Sequence, residues 1–123
     1  MVRQTLKLPG MPIVKVSELP ASVIAREFIG EDHGGVEVSV IFVDAPPGRG
    51  PSLHKHPYPE LILIEEGRGT FVLGEEEHEV EAGELVIIPA DTPHAFVNSG
   101  DGPLRQIDIH PSARFATEWL DAG

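Results

Sequence analysis

Residues 54–67 read His54-Lys55-His56-Pro57-Tyr58-Pro59-Glu60-Leu61-Ile62-Leu63-Ile64-Glu65-Glu66-Gly67. His54 and His56 are two apart, so on an extended strand both imidazoles leave the same face. Pro57 and Pro59 flank Tyr58 and force a bend, which brings the Glu60 carboxylate back towards the two rings. Leu61 to Ile64 is apolar throughout, as expected of a strand covered on both faces. If Ile62 and Ile64 share the inner face with Glu60, Leu61 and Leu63 look outward and need a cover of their own. Glu65-Glu66-Gly67-Arg68-Gly69 then reads as a hairpin turn.

The same texture continues in both directions. The chain holds 13 Gly and 12 Pro, scattered in small clusters between short apolar runs, which predicts many short strands joined by tight turns. Upstream, 36–42 alternates and places Val36, Val38, Val40 and Phe42 on one face, before a Pro- and Gly-rich loop over 45–51. Downstream, Thr70 to Leu73 is a strand, and Gly74-Glu75-Glu76 turns the chain back through His78 and Val80 to Gly83. Leu85 to Ile88 is a buried strand stopped by Pro89, and Ala95-Phe96-Val97 follows Thr92-Pro93. Leu104 to Ile109 is the last clear strand, with Ile107 and Ile109 pointing one way. Ser17 to Pro20 could open a single helical turn. Ser112 to Leu120, with Phe115 and Trp119 spaced i, i+4, predicts a short C-terminal helix packed on the barrel. The expectation is one compact all-β domain over residues 1–123, with a core barrel at about 36–110.

Composition narrows the chemistry. At 123 residues the chain can bury a real core without disulfides or a structural metal. Cysteine is absent, which removes thiolate zinc sites and cysteine nucleophiles and fits a reducing compartment. The formal net charge of −11 would repel phosphate backbones and anionic lipid, so neither nucleic acid nor membrane is expected as a partner. Arg3 and Lys7 are not followed by a signal-peptide core, and no stretch approaches transmembrane length. A soluble cytoplasmic protein is the expectation.

Any metal site must therefore use imidazole and carboxylate. His54, His56 and Glu60 lie close in sequence, and His94 is far off, where a partner strand of a closed barrel could supply it. Singly, each has a plainer reading as a loop or turn residue, but a barrel interior is an expensive place for unpaired polar groups. Three neutral imidazoles and one carboxylate suit one divalent iron, manganese, nickel, copper, cobalt or zinc ion, and suit calcium or magnesium poorly. Octahedral coordination by four protein ligands would leave two positions open to water, dioxygen or a bidentate substrate.

These residues resemble the two sequence motifs of the cupin superfamily. The first runs Gly48, five residues, His54-Lys55-His56, three residues, Glu60, six residues, Gly67; the second runs Gly83, five residues, Pro89, then His94, three residues, Asn98. The resemblance covers residues 48 to 98, with a short spacing between motifs like that of compact single-domain cupins. One position departs: Asp91 stands where the second motif has glycine, and Asp tolerates the left-handed conformation of such a turn better than most residues. The resemblance implies a double-stranded β-helix, or jelly roll, whose two sheets form a cup around the metal. It also implies a homodimer joined sheet to sheet, and Asn98 as a turn residue rather than a ligand.

Counting by twos from the ligands nominates Phe42, Tyr58, Phe71 and Phe96 as substrate-contacting residues, with Tyr58 also a donor behind the ligands. His33 is expected in an exposed turn and His78 solvated in an acidic hairpin. His110 is expected at the surface, near the pocket mouth or a subunit interface, and Arg105 and Arg26 in surface ion pairs. No nucleophile triad or nucleotide fingerprint appears, and no protein general base accompanies the ligands, which favours chemistry led by the metal. The expected function is a metal-dependent, dioxygenase-like oxidoreductase acting on a small organic molecule. The alternatives are a metal-dependent isomerase or lyase, and a non-catalytic ligand-binding or sensor protein. Sensor cupins commonly carry a helix-turn-helix domain, for which the chain leaves no residues, and this inclines the reading towards an enzyme.

Overall fold

The structure is a computed structural model that describes residues 13–120. Two 3-10 turns, at Val16–Glu18 and, between the first two strands, at Gly30–Asp32, accompany ten strands: β1 (Ala25–Phe28), β2 (Ser39–Ala45), β3 (His54–Lys55), β4 (Glu60–Glu66), β5 (Arg68–Leu73), β6 (Glu76–Glu81), β7 (Leu85–Ile88), β8 (His94–Asn98), β9 (Leu104–His110) and β10 (Glu118–Trp119). They form two five-stranded sheets, ordered β1-β2-β9-β4-β7 and β10-β3-β8-β5-β6, with every pairing between strands antiparallel. This is the jelly-roll architecture, and its inner faces hold the core. Among the described residues no helix is long and apolar enough to cross a membrane.

The alternation in β4 falls as its sequence requires. Glu60, Ile62 and Ile64 are buried inward, while Leu61 and Leu63 remain 37% exposed on the outer face. Ile62 and Ile64 join Ala45, Phe71, Ile88 and Leu104 in the core. The turn after β4 uses Gly67 at φ 83°. A Cβ there would lie 2.3 Å from the Pro103 carbonyl oxygen, so both the left-handed backbone and the close approach require glycine. Asp91 adopts φ 60°, and the turn survives its departure from the motif.

Two sequence expectations change here, and the facing of β9 becomes defined. In β2 the inward residues are Ser39, Ile41, Val43 and Ala45, so Val40 and Phe42 face outward rather than into the barrel. Both faces of this strand are apolar, and alternation alone does not choose between them. The polar Ser39 is buried because its hydroxyl accepts the Gly30 N–H (3.1 Å) and donates to the Ser112 carbonyl (2.8 Å). In β9 the residues pointing outward are Ile107 and Ile109, and the inner face carries Leu104, Gln106, Asp108 and His110.

The second change concerns the C-terminal segment. It contains no helix. Residues 112–120 run across the barrel mouth, where β10 pairs with β3 and the Leu120 N–H donates to the Leu53 carbonyl at 3.0 Å. The i, i+4 aromatic pair is placed by this extended strap, not by helical periodicity: Trp119 packs on His54 and Phe115 on His110, with ring centroids 4.9 and 4.5 Å apart.

Candidate metal centre

β3 supplies His54 and β8 supplies His94, directly opposite each other in register. His56 follows β3, and Glu60 begins β4 after the Pro57-Tyr58-Pro59 bend. The structure thus brings the four residues together from separate elements, each at most 7% exposed. One ring nitrogen from each of His54, His56 and His94 lies within 4.8 Å of the others. Glu60 Oε1 is 3.0 Å from His94 Nε2 and 3.3 Å from His56 Nε2.

Hydrogen bonding sets the tautomers. The Nδ1 atoms of His54, His56 and His94 face the backbone carbonyls of Ser52, Ala116 and Thr92 at 2.7, 2.7 and 2.8 Å. A carbonyl can only accept, so each Nδ1 carries a proton, and in the neutral ring it is Nε2 that offers the lone pair. Two of those lone pairs then face a carboxylate oxygen, and His56 Nε2 is buried with no hydrogen-bond partner. In the neutral rings these contacts set acceptor against acceptor, which a cation placed between them would relieve. Burial, only partly offset by the Ser52 carbonyl, lowers the pKa of His54 from 6.5 to about 4, so the ring is neutral and able to ligate at physiological pH.

His110 was expected at the surface and is instead 2% exposed inside the cup. Its Nε2 lies 3.2 Å from Glu60 Oε2 and its Nδ1 3.0 Å from the Tyr58 hydroxyl, which also accepts the Ala116 N–H at 3.2 Å. The assignment that satisfies every group has Tyr58 donating to His110 Nδ1 and His110 Nε2–H donating to Glu60. This is the tautomer opposite to that of the other three rings, and it makes His110 the orienting partner of the carboxylate. Burial pushes the Glu60 carboxyl up, but His110, His56 and His94 outweigh it and hold the group ionised, well below the usual carboxylate range. Burial also raises the Tyr58 phenol, the Ala116 N–H opposes this, and Glu60 adds to it.

Sequence reasoning also missed Asp108. It faces inward beside His110, and the Gln106 amide donates to its Oδ1 at 2.8 Å. Burial first, and the Glu60 charge second, raise its pKa well above the ordinary value, against the Gln106 hydrogen bond. The signal available for both residues was their period-two spacing with Gln106, but a polar inner face reads as a solvated one.

The nominated aromatic residues separate. Phe96 lines a cavity of about 300 Å³ that opens beside the imidazoles. Tyr58 stacks on His56 with centroids 5.3 Å apart and lies behind the cluster rather than in the cavity. Phe71 is 1% exposed, stacked beneath Phe96 at 5.2 Å, and is core rather than cavity wall. Phe42, on the outer face, reaches no part of this site and lines a separate surface groove with Arg105 and Ile107. Arg105 lies 3.7 Å from both Asp44 and Glu66, an exposed ion pair. Arg26 instead donates to the Leu19 carbonyl at 3.0 Å. His33 is half-buried against Phe28 at 4.4 Å, whereas His78 is exposed beside Glu76. Asn98 makes no contact with the cluster and ties the β8–β9 turn, donating to the Ala45 and Gly102 carbonyls at 2.8 Å each.

Comparison with known proteins agrees with this fold. A family described as the cupin domain matches residues 41–110. A protein of Methanocaldococcus jannaschii, itself uncharacterised, is 38% identical over 84 residues, covering 67% of each chain. Among solved structures, the polyketide cyclase RemF from Streptomyces resistomycificus superposes with a TM-score of 0.75 at 22% identity, over 93% of this chain and 88% of that one. An oxalate oxidase superposes with a TM-score of 0.74 at 20% identity, over 88% of this chain but only 62% of its own. At such identities the structural likeness establishes the fold alone.

Proposed function

The chain belongs to the cupin domain family, and from that premise we propose that His54, His56, Glu60 and His94 hold one divalent transition metal at which a small organic substrate is converted. The observation that carries this reading is the orientation of the rings. Three buried rings engage backbone carbonyls through Nδ1, which leaves Nε2 as the atom a metal would take, and two of these Nε2 atoms lie 3.0 and 3.3 Å from Glu60. A nitrogen-rich donor set of this kind fits iron, manganese, nickel, copper, cobalt or zinc. When bound, such an ion supplies Lewis acidity or, if redox-active, electron transfer.

The chain's own residues have distinct parts. The Ser52, Ala116 and Thr92 carbonyls lock the ring orientations, and His110 fixes Glu60 through Oε2 while Oε1 turns to the imidazoles. The strap over 112–120 covers the cluster and narrows access to the cavity beside it. We assign the chemistry to a dioxygenase-like oxidation, with metal-assisted isomerase or lyase chemistry and non-catalytic ligand binding as the competing readings. Metal analysis of the purified protein, followed by oxygen uptake with a panel of catechols and diketones, separates them. Iron, manganese or copper with turnover supports oxidation. Zinc without oxygen uptake favours the Lewis-acid reading, and a protein that binds no divalent metal overturns the proposal.

The outer face of the first sheet suggests a second copy of the chain as partner. Leu61 lies between Ile87 and Ile109, and Leu63 between Leu85 and Ile107, in one uncharged patch. Leu85 and Ile87 are 51% and 66% exposed, and a homodimer joined through this face would cover them.

A further inference from the structure

The cavity beside the cluster has its own chemistry, distinct from that of the ligands. Its walls are apolar, with Ile24, Ile41, Val43, Ile62 and Phe96. Phe115 and Trp119 form its rim, 40% and 60% exposed despite their size. Among the described residues no lysine or arginine lines it, while Glu27 and Asp108 both do.

Asp108 is the unusual member. It lies opposite Ile62 in the β4–β9 register and is 6% exposed. Gln106 engages Oδ1 alone, which leaves Oδ2 without a protein hydrogen-bond partner among the described residues. Oδ2 is thus the free polar atom of a buried residue that lines the cavity, open to pair with a group that enters it. The apolar walls and aromatic rim favour a flat, apolar body. A dicarboxylate that placed one end at the metal would bring its other charge against apolar walls and Glu27, with no cation to meet it.

We propose that Asp108 is the ligand-recognising residue of the cup, and that the ligand is an uncharged, flat organic molecule presenting a hydroxyl or carbonyl group to it rather than a small dicarboxylate. The inference rests on the cup being the ligand site, but not on which metal it holds. It separates this chain from the substrate in the name of its structural neighbour, oxalate oxidase, whose likeness is one of fold.

The test is titration calorimetry at pH 7 on the full chain, zinc-loaded so that no redox turnover intervenes, and in parallel on the metal-free chain. The probes are 4-methylcatechol and oxalate. 4-Methylcatechol is expected to bind at least about tenfold tighter than oxalate. Asp108→Leu is expected to weaken 4-methylcatechol by about tenfold, the size of one hydrogen bond to a buried carboxyl, and to leave oxalate equal or tighter. Asp108→Asn, which keeps the shape and the hydrogen-bonding capacity, should hold 4-methylcatechol within about threefold and still admit oxalate more readily. Circular dichroism and zinc stoichiometry establish that each variant is folded and loaded. Failure to bind zinc defeats the metal reading only, because the ligand order and the Asp108 effect are still read on the metal-free chain. Oxalate binding as tightly as 4-methylcatechol, an unchanged affinity in Asp108→Leu, or no binding of either probe would overturn the assignment.

Discussion

The two ends of the barrel interior are built by the same strands and do opposite things. At the closed end β4 contributes Ile64, β9 Leu104, β5 Phe71 and β2 Ala45, none more than 1% exposed. Four to six residues along β4 and β9 stand Glu60, Asp108 and His110, joined by His94 from β8. Burial of a large apolar side chain stabilises by roughly 1.5–3 kcal/mol, so the floor is a source of folding free energy. The open end removes a carboxylate from water, which costs several kcal/mol when uncompensated. Its groups are tolerated because His110 and Tyr58 extend hydrogen bonds to them and because a cation can complete the set. The difference teaches that stability and site are segregated along each strand, not between sheets.

The comparison is easiest to break at the floor. Phe71→Ala removes a fully buried ring that stacks on Phe96 at 5.2 Å and should destabilise folding by about 3–5 kcal/mol in urea denaturation. Metal stoichiometry of the fraction that remains folded should be unchanged. If the variant instead lost metal at ordinary stability, the two ends would not be independent.

At the open end the signature reverses. His110→Phe keeps an aromatic ring and deletes the donor to Glu60 Oε2 at 3.2 Å. Zinc affinity, read by equilibrium dialysis, should fall by about 10–100-fold, as is usual when the group orienting a ligand is removed. An unchanged affinity would mean that the carboxylate needs no orienting partner.

These two ends were not equally legible in the sequence. β4 could be read because its inner and outer residues differ in kind at Glu60, and because Gly67 and His54 lie at fixed offsets from it. β9 could not, because its inner face is polar at Gln106, Asp108 and His110 while its outer face is Ile107 and Ile109. The usual inference from apolar to buried inverts wherever a barrel is built around a polar site, and the residues lost to that inversion were the two most informative about the site. β2 failed for a different reason: Phe42 and Val43 are equally apolar, and only the pairing of Val43 with Gln106 across β9 decides which faces in. The C-terminal strap failed because Phe115 and Trp119 are held by rings on distant strands, a tertiary fact that mimics helical spacing.

Acid should distinguish the ends next. His54 is held at about 4 in the folded protein against 6.5 for the free side chain. Between those values the unfolded chain takes up a proton that the folded one refuses, so stability is lost as pH falls from about 6.5 to about 4. The depressed Glu60 adds loss only below its ordinary value of 4.5. Asp108, raised by burial, has the opposite sign and loses its contribution as pH rises. His54 therefore pulls the urea midpoint of the metal-free protein down between pH 6.5 and 4.5 against the opposite pull of Asp108, and His54→Gln should make the midpoint fall less, or rise more, across that window. A slope unaltered by His54→Gln would show that the ring is protonated in the folded state.

The smallest effect is expected at a position belonging to neither end. Ile87 lies on β7 facing out, 66% exposed, next to Leu61 on β4. Because the side chain already touches water, Ile87→Lys should change the folding stability of the isolated chain by no more than about 0.5 kcal/mol. Zinc affinity should not move, since no residue of the cluster shares its face of the sheet. What should change is association. A lysine placed in the uncharged patch would bring its own symmetry mate nearby across a two-fold interface, and like charges there oppose pairing. Sedimentation velocity across a concentration series should therefore show the native chain as a dimer and the variant shifted to monomer. Loss of metal in this variant would contradict the separation of outer face from interior. A native chain that already sediments as a monomer would remove the second copy as the partner of this face.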